Sequence, residues 1–548
     1  MKNIFPRRLK GTLNTHLRPH QVGPPGRLGP LWLALGTMLS LFAANGRWDL
    51  SLAAWLAPLF FLRFTRSSKP LIGFAFVWLA SLGSLFFFFY QSEMPLQSPL
   101  LIAGSLVINT VLVLPYLIDR LVSPRLGLIS GLLATLIFPL SRVTFEFLNT
   151  LLISPFGSIF SLAYTQYGNL PLLQIMSITG IYGVSFLIAW FASVANWTWE
   201  QGFAWPRIRR ITLLYSGLLA LVLLGGSIRL TFFPASAQLV RVAGMSIARS
   251  TLQNVSQTLS NFRRQKEIGN GDRGAVRSIF TSISEELLAR SQQEARAGAK
   301  IIVWPEAGVF TLEEDEANLI ERGKTLAHQE NIYLEMGFVV LRQMTAYQDR
   351  AVLIDPAGRV IWTYDKAHPV PGLESFVPGE GNVPVVDTPY GRLANVICFD
   401  ADFPDLMRQA GGKGVDIMLV PSNDWRGIDP WHTHNATFRA IENGFSLVRQ
   451  ASRGQAMTVD YQGHVLAATD YFTTDQQTMI AYVPVKGVGT IYARAGDLFA
   501  WLCLTGLLLL AGFVAFASLQ RCVHFSALAG EPSSVSTEDG HKSVTLMR

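Results

Sequence analysis

The chain has 548 residues and a net charge of +7, with 50% hydrophobic but only 15% charged residues. A soluble globular chain carries about 25% charge, so an entirely soluble protein is excluded. No stripe of Lys and Arg interleaved with aromatic residues appears, which argues against a nucleic-acid partner. Six cations instead (Lys2, Arg7, Arg8, Lys10, Arg18 and Arg27) precede the first apolar run, where membrane topology accounts for them.

In chain order, residues 1–29 read as a basic cytoplasmic arm. They lack the short apolar stretch and small-residue cleavage site of a secretory signal. Residues 30–233 are almost continuously apolar. A hydrocarbon core about 30 Å thick needs roughly 20 apolar residues per helix. Candidate spans fall at 30–45, 50–64, 70–90, 100–121, 126–147, 173–196 and 211–233, with an eighth at 497–520. The first two are short, joined by a turn at Asn45-Gly46, so the count is seven or eight. Arg63, Arg66 and Lys69, then Arg120 and Arg125, then Arg207, Arg209 and Arg210 recur after every second span, whereas 91–99 and 148–172 contain no Lys or Arg. This alternation puts the cationic loops in the cytoplasm and residues 238–490 on the opposite face. The polar segment 530–548 reads as a disordered cytoplasmic tail. Arg142 and Glu146, four apart beside the fifth span, form either a mutually neutralising pair or a contact to a lipid headgroup.

Residues 238–490 have a soluble composition. A helical pattern (Ile279, Ile283, Leu287, Leu288) precedes a β-rich run at 299–304. Strands follow at 332–340, 350–355, 359–364 and 393–397, a helix at 403–411, a strand at 414–420, a helix at 435–444, and strands at 446–451, 455–460 and 464–468. The mixture predicts a mixed sheet layered with helices.

Three reactive residues stand at strand ends. Glu306 follows Trp304-Pro305, Lys366 follows Ile361-Trp362-Thr363-Tyr364-Asp365, and Cys398 ends the strand at 393–397. A thiol attacks a carbonyl as thiolate and needs a base or a lowered pKa. A carboxylate supplies the base and later the acid. An ammonium lowers the thiol pKa and holds the developing oxyanion. Read singly, each is ordinary: a surface carboxylate, a solvated lysine, an inert core thiol. The other cysteines, Cys503 and Cys522, belong to the last apolar segment and its edge, so no disulfide framework is present.

Val303-Trp304-Pro305-Glu306, Tyr364-Asp365-Lys366 and Val396-Ile397-Cys398-Phe399-Asp400, with Val420-Pro421-Ser422-Asn423-Asp424-Trp425, resemble the motifs of the nitrilase superfamily. That resemblance implies an α-β-β-α sandwich over about 238–490, beside a polytopic α-helical membrane domain. Leu170-Pro171-Leu172-Leu173-Gln174, Gly180-Ile181-Tyr182-Gly183-Val184-Ser185-Phe186, Val370–Pro378 and Thr490–Asp497 further resemble apolipoprotein N-acyltransferases.

The resemblance implies a plasma-membrane enzyme with a periplasmic catalytic domain and no cofactor. It would move an acyl chain from a phospholipid, through a Cys398 thioester, to the N-terminal amine of a diacylglyceryl-cysteine prolipoprotein. Glu306 would be base and acid, and Lys366 the oxyanion holder. Glu374 would orient Lys366 or the donor, with Phe399, Asp400 and Asn423 in supporting positions. The chain departs from that family at Cys398-Phe399-Asp400, where Cys-Tyr-Glu is usual, and at Ala451-Ser452-Arg453-Gly454. The interval from Lys366 to Cys398, 398 − 366 = 32 residues, resembles soluble nitrilases instead. A membrane-tethered amidohydrolase, or an N-acyltransferase with another acceptor, is therefore the alternative, and a binding module without activity is a third reading. His432 and His434 near Trp431 are expected to shape the pocket, since spacing supplies no third metal ligand. Arg439 and Glu442 are expected to be structural.

Overall fold

The computed structural model describes residues 28–529, apart from 96–97, 128–129, 236–237, 250, 252, 254–256, 258–272, 343–346 and 475–477. The tail at 530–548 and all but the end of the basic arm therefore lie outside the described residues. Each expected apolar run contains a helix: α1 (Gly29–Leu41), α2 (Ser51–Ser67), α3 (Pro70–Gln91), α4 (Pro99–Gly127), α5 (Gly131–Leu148), α6 (Ile181–Glu200), α7 (Trp205–Phe232) and a C-terminal helix from Leu498. Among the described residues six helices, α3 to α7 and the C-terminal one, are long and apolar enough to cross a membrane. At 13 and 17 residues, α1 and α2 are shorter.

Several boundaries differ from expectation; α7, for one, starts at Trp205 and not at 211. The run at 173–196 is not one helix but two single turns, Leu170–Leu173 and Met176–Thr179, followed by α6. Gly180 makes the break at φ +64°, where a Cβ would lie 2.5 Å from the Tyr492 ring. Helix α4 runs on through Arg125 to Gly127, past its expected end at 121.

The two ends of the bundle differ in chemistry. At one, Arg66 binds Asp119 at 2.7 Å and Glu200 at 3.6 Å, while Arg120 Nε donates to the Ser68 carbonyl. These contacts gather the cationic ends of α2 and α4 around Glu200 at the end of α6. The Lys/Arg-free segments at the other end hold the α/β domain. Trp425 Nε1 donates to the Ser92 carbonyl at 2.7 Å, and both the amide and hydroxyl of Ser158 donate to the Asp402 carbonyl at 2.9 Å. Within α5, Arg142 pairs with Glu146 at 3.4 Å, and Glu146 also accepts from Ser161 and Ser185. The charge is neutralised inside the bundle, as its desolvation requires.

The α/β domain contains thirteen strands among the described residues. One sheet runs β13 (Thr478–Pro484), β1 (Leu239–Met245), β2 (Ile301–Val303), β4 (Tyr333–Leu341), β5 (Gln348–Ile354), β6 (Val360–Asp365), with β3 (Val309–Leu312) also on β4. The second runs β12 (Val465–Asp470), β11 (Gln455–Val459), β10 (Ser446–Ala451), β9 (Ile417–Ser422), β8 (Gly391–Asn395), β7 (Val385–Thr388). Side chains alternate between layers. Val242, Ile301, Val303 and Leu353 face Leu393, Ile417 and Val448 between the sheets. Ala243, Ile302, Trp304 and Val352 pack instead under α8 (Arg273–Arg296) and α9 (Glu316–Glu330). Helices α10 (Pro404–Gly412) and α11 (Trp431–Asn443) cover the second sheet, completing the expected α-β-β-α sandwich. Strands β1, β3, β7 and β13 and helix α9 are additions to the sequence reading. The antiparallel pairing of Leu239 with Pro484 ties the domain's two ends together beside α7 and the C-terminal helix.

Candidate active site

Glu306, Lys366 and Cys398 each follow the C-terminal end of a strand, respectively β2, β6 and β8. Trp304, wholly buried, anchors the first turn, with its indole nitrogen on Ser291. Gly337 on β4 lets that turn approach, because a Cβ there would stand 2.3 Å from the Pro305 carbonyl oxygen. Lys366 donates its backbone N–H to the Asp349 carbonyl, locking the end of β6 to β5. Cys398 opens a 3-10 turn, Cys398–Asp402, at φ +48°. A non-glycine residue there stores about 1–3 kcal/mol of strain, maintained by its surroundings.

The Lys366 ammonium is wholly buried among carboxylates. Nζ lies 2.6 Å from Glu306, 2.9 Å from both oxygens of Glu374, and 3.7 Å from Asp349. Burial opposes its charge, but the attraction of Glu306 and Glu374 outweighs burial and raises its pKa well above the lysine range. For Glu306 burial acts upward, yet Lys366 wins and holds the carboxyl below its usual value. Side-chain hydrogen bonds from Asp349 and Cys398 to the Glu306 carboxylate act the same way, so the thiol proton already faces the base. Asp349 behaves oppositely: burial and then the Glu306 charge raise it far above the carboxylate range, so it is neutral. Burial also raises Glu374. The Cys398 thiol is pushed up by burial and by Glu306, and down by Lys366 and Arg449. The resting centre is therefore thiol, carboxylate and ammonium.

The other expected residues fall around this core. Glu374, on the loop after Lys366, also accepts the Val370 N–H at 2.8 Å. Asp400 folds away from the thiol and accepts from Tyr364 Oη (2.8 Å), the His368 amide (2.8 Å) and the Ile397 amide (3.2 Å). It joins the turn bearing Cys398 to the loop bearing Lys366. Phe399 packs with Phe88, Phe156, Ile428 and Trp431 at the junction with the helical bundle. Asn423 accepts from the Ser452 hydroxyl at 2.7 Å. Its neighbour Asp424, part of the Val420–Trp425 motif but given no role from sequence, faces the thiol at 4.0 Å.

Arg449 was also missed, although a cation inside the buried strand Ser446–Ala451 was its signal. Its Nη2 lies 4.0 Å from Cys398 Sγ and 2.9 Å from Asp424. His432 bridges Asp424 and Asp402, each at 2.7 Å, and His434 stacks on Tyr167 instead of joining it. Burial lowers the His432 pKa, but Asp424 and Asp402 prevail and raise it to about 9. Cys398, Asp424 and His432 present ligand atoms within 4.8 Å of one another. Arg449 Nη2 contacts all three, so the cation in that space is the guanidinium. Arg439 and Glu442, wholly buried, pair at 3.1 Å, and Glu442 accepts the Ile181 N–H at the start of α6.

Residues 239–492 match the carbon-nitrogen hydrolase family, and residues 35–194 match the N-terminal domain of apolipoprotein N-acyltransferases. An apolipoprotein N-acyltransferase of Geobacter metallireducens is 29% identical over 453 residues, 77% of this chain and 81% of the relative. Apolipoprotein N-acyltransferase 1 of Treponema denticola is 24% identical over 520 residues, 84% and 91% of the two chains. An amidase from Nesterenkonia sp. is similar in structure at 19% identity and a TM-score of 0.36, over 48% of this chain and 95% of the amidase. The fold and the two family matches define a multi-pass membrane enzyme of the nitrilase superfamily. Within it, the chain belongs to the apolipoprotein N-acyltransferase family.

Proposed function

We propose that the enzyme transfers a fatty acyl chain from a phospholipid to the α-amine of a diacylglyceryl-cysteine lipoprotein through a thioester on Cys398. The observation that carries the reading is the Glu306–Lys366 contact at 2.6 Å, with both groups acting on the Cys398 thiol. Glu306 takes the thiol proton, and the thiolate attacks the ester carbonyl. Lys366 stabilises the tetrahedral oxyanion as it forms. Collapse expels the lysophospholipid alkoxide, which recovers the proton from Glu306, now an acid. In the second half the lipoprotein amine attacks the thioester, Glu306 takes an amine proton, and the thiolate leaves. Glu374 orients the ammonium, and Asp400 keeps the Lys366 and Cys398 segments in register.

Both substrates are lipid-anchored, so a catalytic domain seated on a membrane bundle raises their local concentration. The clustering of cationic helix ends away from the α/β domain supports a cytoplasmic placement for them. The catalytic domain then faces the periplasm from the inner membrane. Incubation with a phospholipid carrying an alkynyl acyl chain tests the reading: label on Cys398, released by hydroxylamine and missing in Cys398→Ala, is expected. Absence of label above that variant contradicts it. The short interval between Lys366 and Cys398 favours one second reading, a membrane-tethered amidohydrolase. Ammonia or amine release from small amides, without acyl movement between lipids, would select it.

A further inference from the structure

Besides Glu306 and Lys366, a second pair of opposite charges flanks the nucleophile. Asp424 Oδ1 and Arg449 Nη2 each lie 4.0 Å from Cys398 Sγ and are 2.9 Å from each other. Both side chains are buried, Arg449 completely. They come from different elements: Asp424 follows β9, and Arg449 lies within β10. Buried charges of this kind are retained only when paired and hydrogen-bonded. Here Thr433 Oγ1 accepts from Arg449 Nε at 3.0 Å, and His432 Nδ1 shares Asp424 Oδ1 with Arg449 while its second nitrogen rests on Asp402. The scaffold does not saturate the guanidinium, because Nη1 has no hydrogen-bond partner among the described residues.

The chemistry of the pair matches both ionisation states of the sulfur. A thiol needs an acceptor and a thiolate needs a donor. We propose that Arg449 and Asp424 form a second catalytic pair on Cys398: Asp424 accepts from the thiol in the resting enzyme, and Arg449 donates to the thiolate. The inference rests on Cys398 being the nucleophile. The thiolate arises twice, when Glu306 removes the thiol proton and when the amine expels sulfur from the thioester. Arg449 stabilises it on both occasions, while Lys366 remains with the carbonyl oxygen. His432 and Asp402 are positioning residues that hold Asp424 in place.

The test is the pH dependence of Cys398 alkylation by iodoacetamide in the full-length, detergent-solubilised enzyme, followed by mass spectrometry of the Cys398 peptide. The charged groups acting on the sulfur are Glu306, Lys366, Arg449 and Asp424, with His432, raised to about 9, within 4.8 Å of it. Removing a cation 4 Å away raises the thiol midpoint and removing an anion lowers it, by about 1–3 pH units at such distances. Arg449→Gln is expected to move the midpoint up, slowing alkylation at neutral pH by roughly 10- to 1000-fold. Asp424→Asn is expected to move it down, and Arg449→Lys to move it up by less than Arg449→Gln. Thr433→Val, which frees Nε, gives a small upward shift. A purely structural role would not displace the midpoint in opposite directions.

Unchanged midpoints in the Arg449 variants, or an upward shift in Asp424→Asn, overturn the proposal. Should Arg449→Gln fail to fold, Arg449→Lys, Thr433→Val and Asp424→Asn decide. Failure here leaves acyl labelling of the unaltered enzyme intact, so the two readings fail separately.

Discussion

Replacing Lys366 by Met keeps most of the side-chain volume and removes the buried charge. Its Nζ stands 2.6 Å from Glu306, with Glu374 at 2.9 Å and Asp349 at 3.7 Å. At an effective dielectric of about 20, the Glu306 contact alone represents roughly 6 kcal/mol of gross attraction. Much of this offsets desolvation. Truncating one partner of a buried pair nevertheless costs about 3–5 kcal/mol, because the other charge stays buried alone. At about 2–4 °C per kcal/mol for a unit of this size, Tm should fall by roughly 6–20 °C.

The loss depends on pH, and its sign follows from the pair. In the native enzyme Lys366 holds the Glu306 carboxyl below its usual value. That stability is present above the unfolded carboxyl pKa and is lost as pH falls through the folded one. Without Lys366, burial raises Glu306, and the variant escapes the penalty by protonation at low pH. The Tm difference from the unaltered enzyme is therefore largest near pH 8 and shrinks toward pH 5. Glu306→Gln introduced into Lys366→Met removes the stranded charge and restores much of the loss. Thermal unfolding in detergent, followed by tryptophan fluorescence, measures both effects. A Tm difference constant between pH 5 and pH 8, or no recovery in the double variant, refutes the reasoning.

Gly337→Ala places a Cβ 2.3 Å from the Pro305 oxygen under the Glu306 turn, and overpacking of this kind costs about 1–3 kcal/mol. Acyl transfer should fall with Tm, and unchanged values of both would contradict the assigned fit. His432, raised to about 9, contributes stability that is complete below its unfolded pKa and lost as pH rises through 9. The Tm difference between the unaltered enzyme and His432→Gln should therefore be larger at pH 6 than at pH 9.5. An equal difference at the two pH values would mean that His432 is not charged in the fold. For membrane sidedness, Lys486→Cys on the exposed catalytic face should react with an impermeant maleimide added from the periplasm, whereas Arg209→Cys should not. The reverse pattern would invert the topology.

What sequence reasoning recovered depended on how local each signal was. The helix at 70–91 is a continuous apolar run and could be placed to within a turn, whereas that at 205–232 opens with Arg207, Arg209 and Arg210, so its apolar part placed it only to within about two turns. Glu306, Lys366 and Cys398 could be named because each follows a short β-rich run inside a string that resembles a nitrilase-superfamily motif. The break at Gly180 escaped because its cause, the Tyr492 ring, is some 312 residues away in sequence (492 − 180 = 312). Strands β1 and β13 owe their existence to pairing with each other across the whole domain, which no local window contains. Asp349 looks like any strand-edge acid until Glu306 is folded against it. Arg449 was visible as a cation in an apolar strand, but its partner Asp424 lies 25 residues earlier and only tertiary structure joins them.

The fate of the acyl group on Cys398 tests the account most directly. The enzyme is loaded with a phospholipid of defined acyl mass, stripped of lipid, and chased with a diacylglyceryl-cysteine peptide. Intact-mass spectrometry should record loss of that acyl mass from Cys398 and an equal gain on the peptide α-amine. Loss of the acyl group as free fatty acid with no gain on the peptide, or no loading of Cys398 at all, would contradict it.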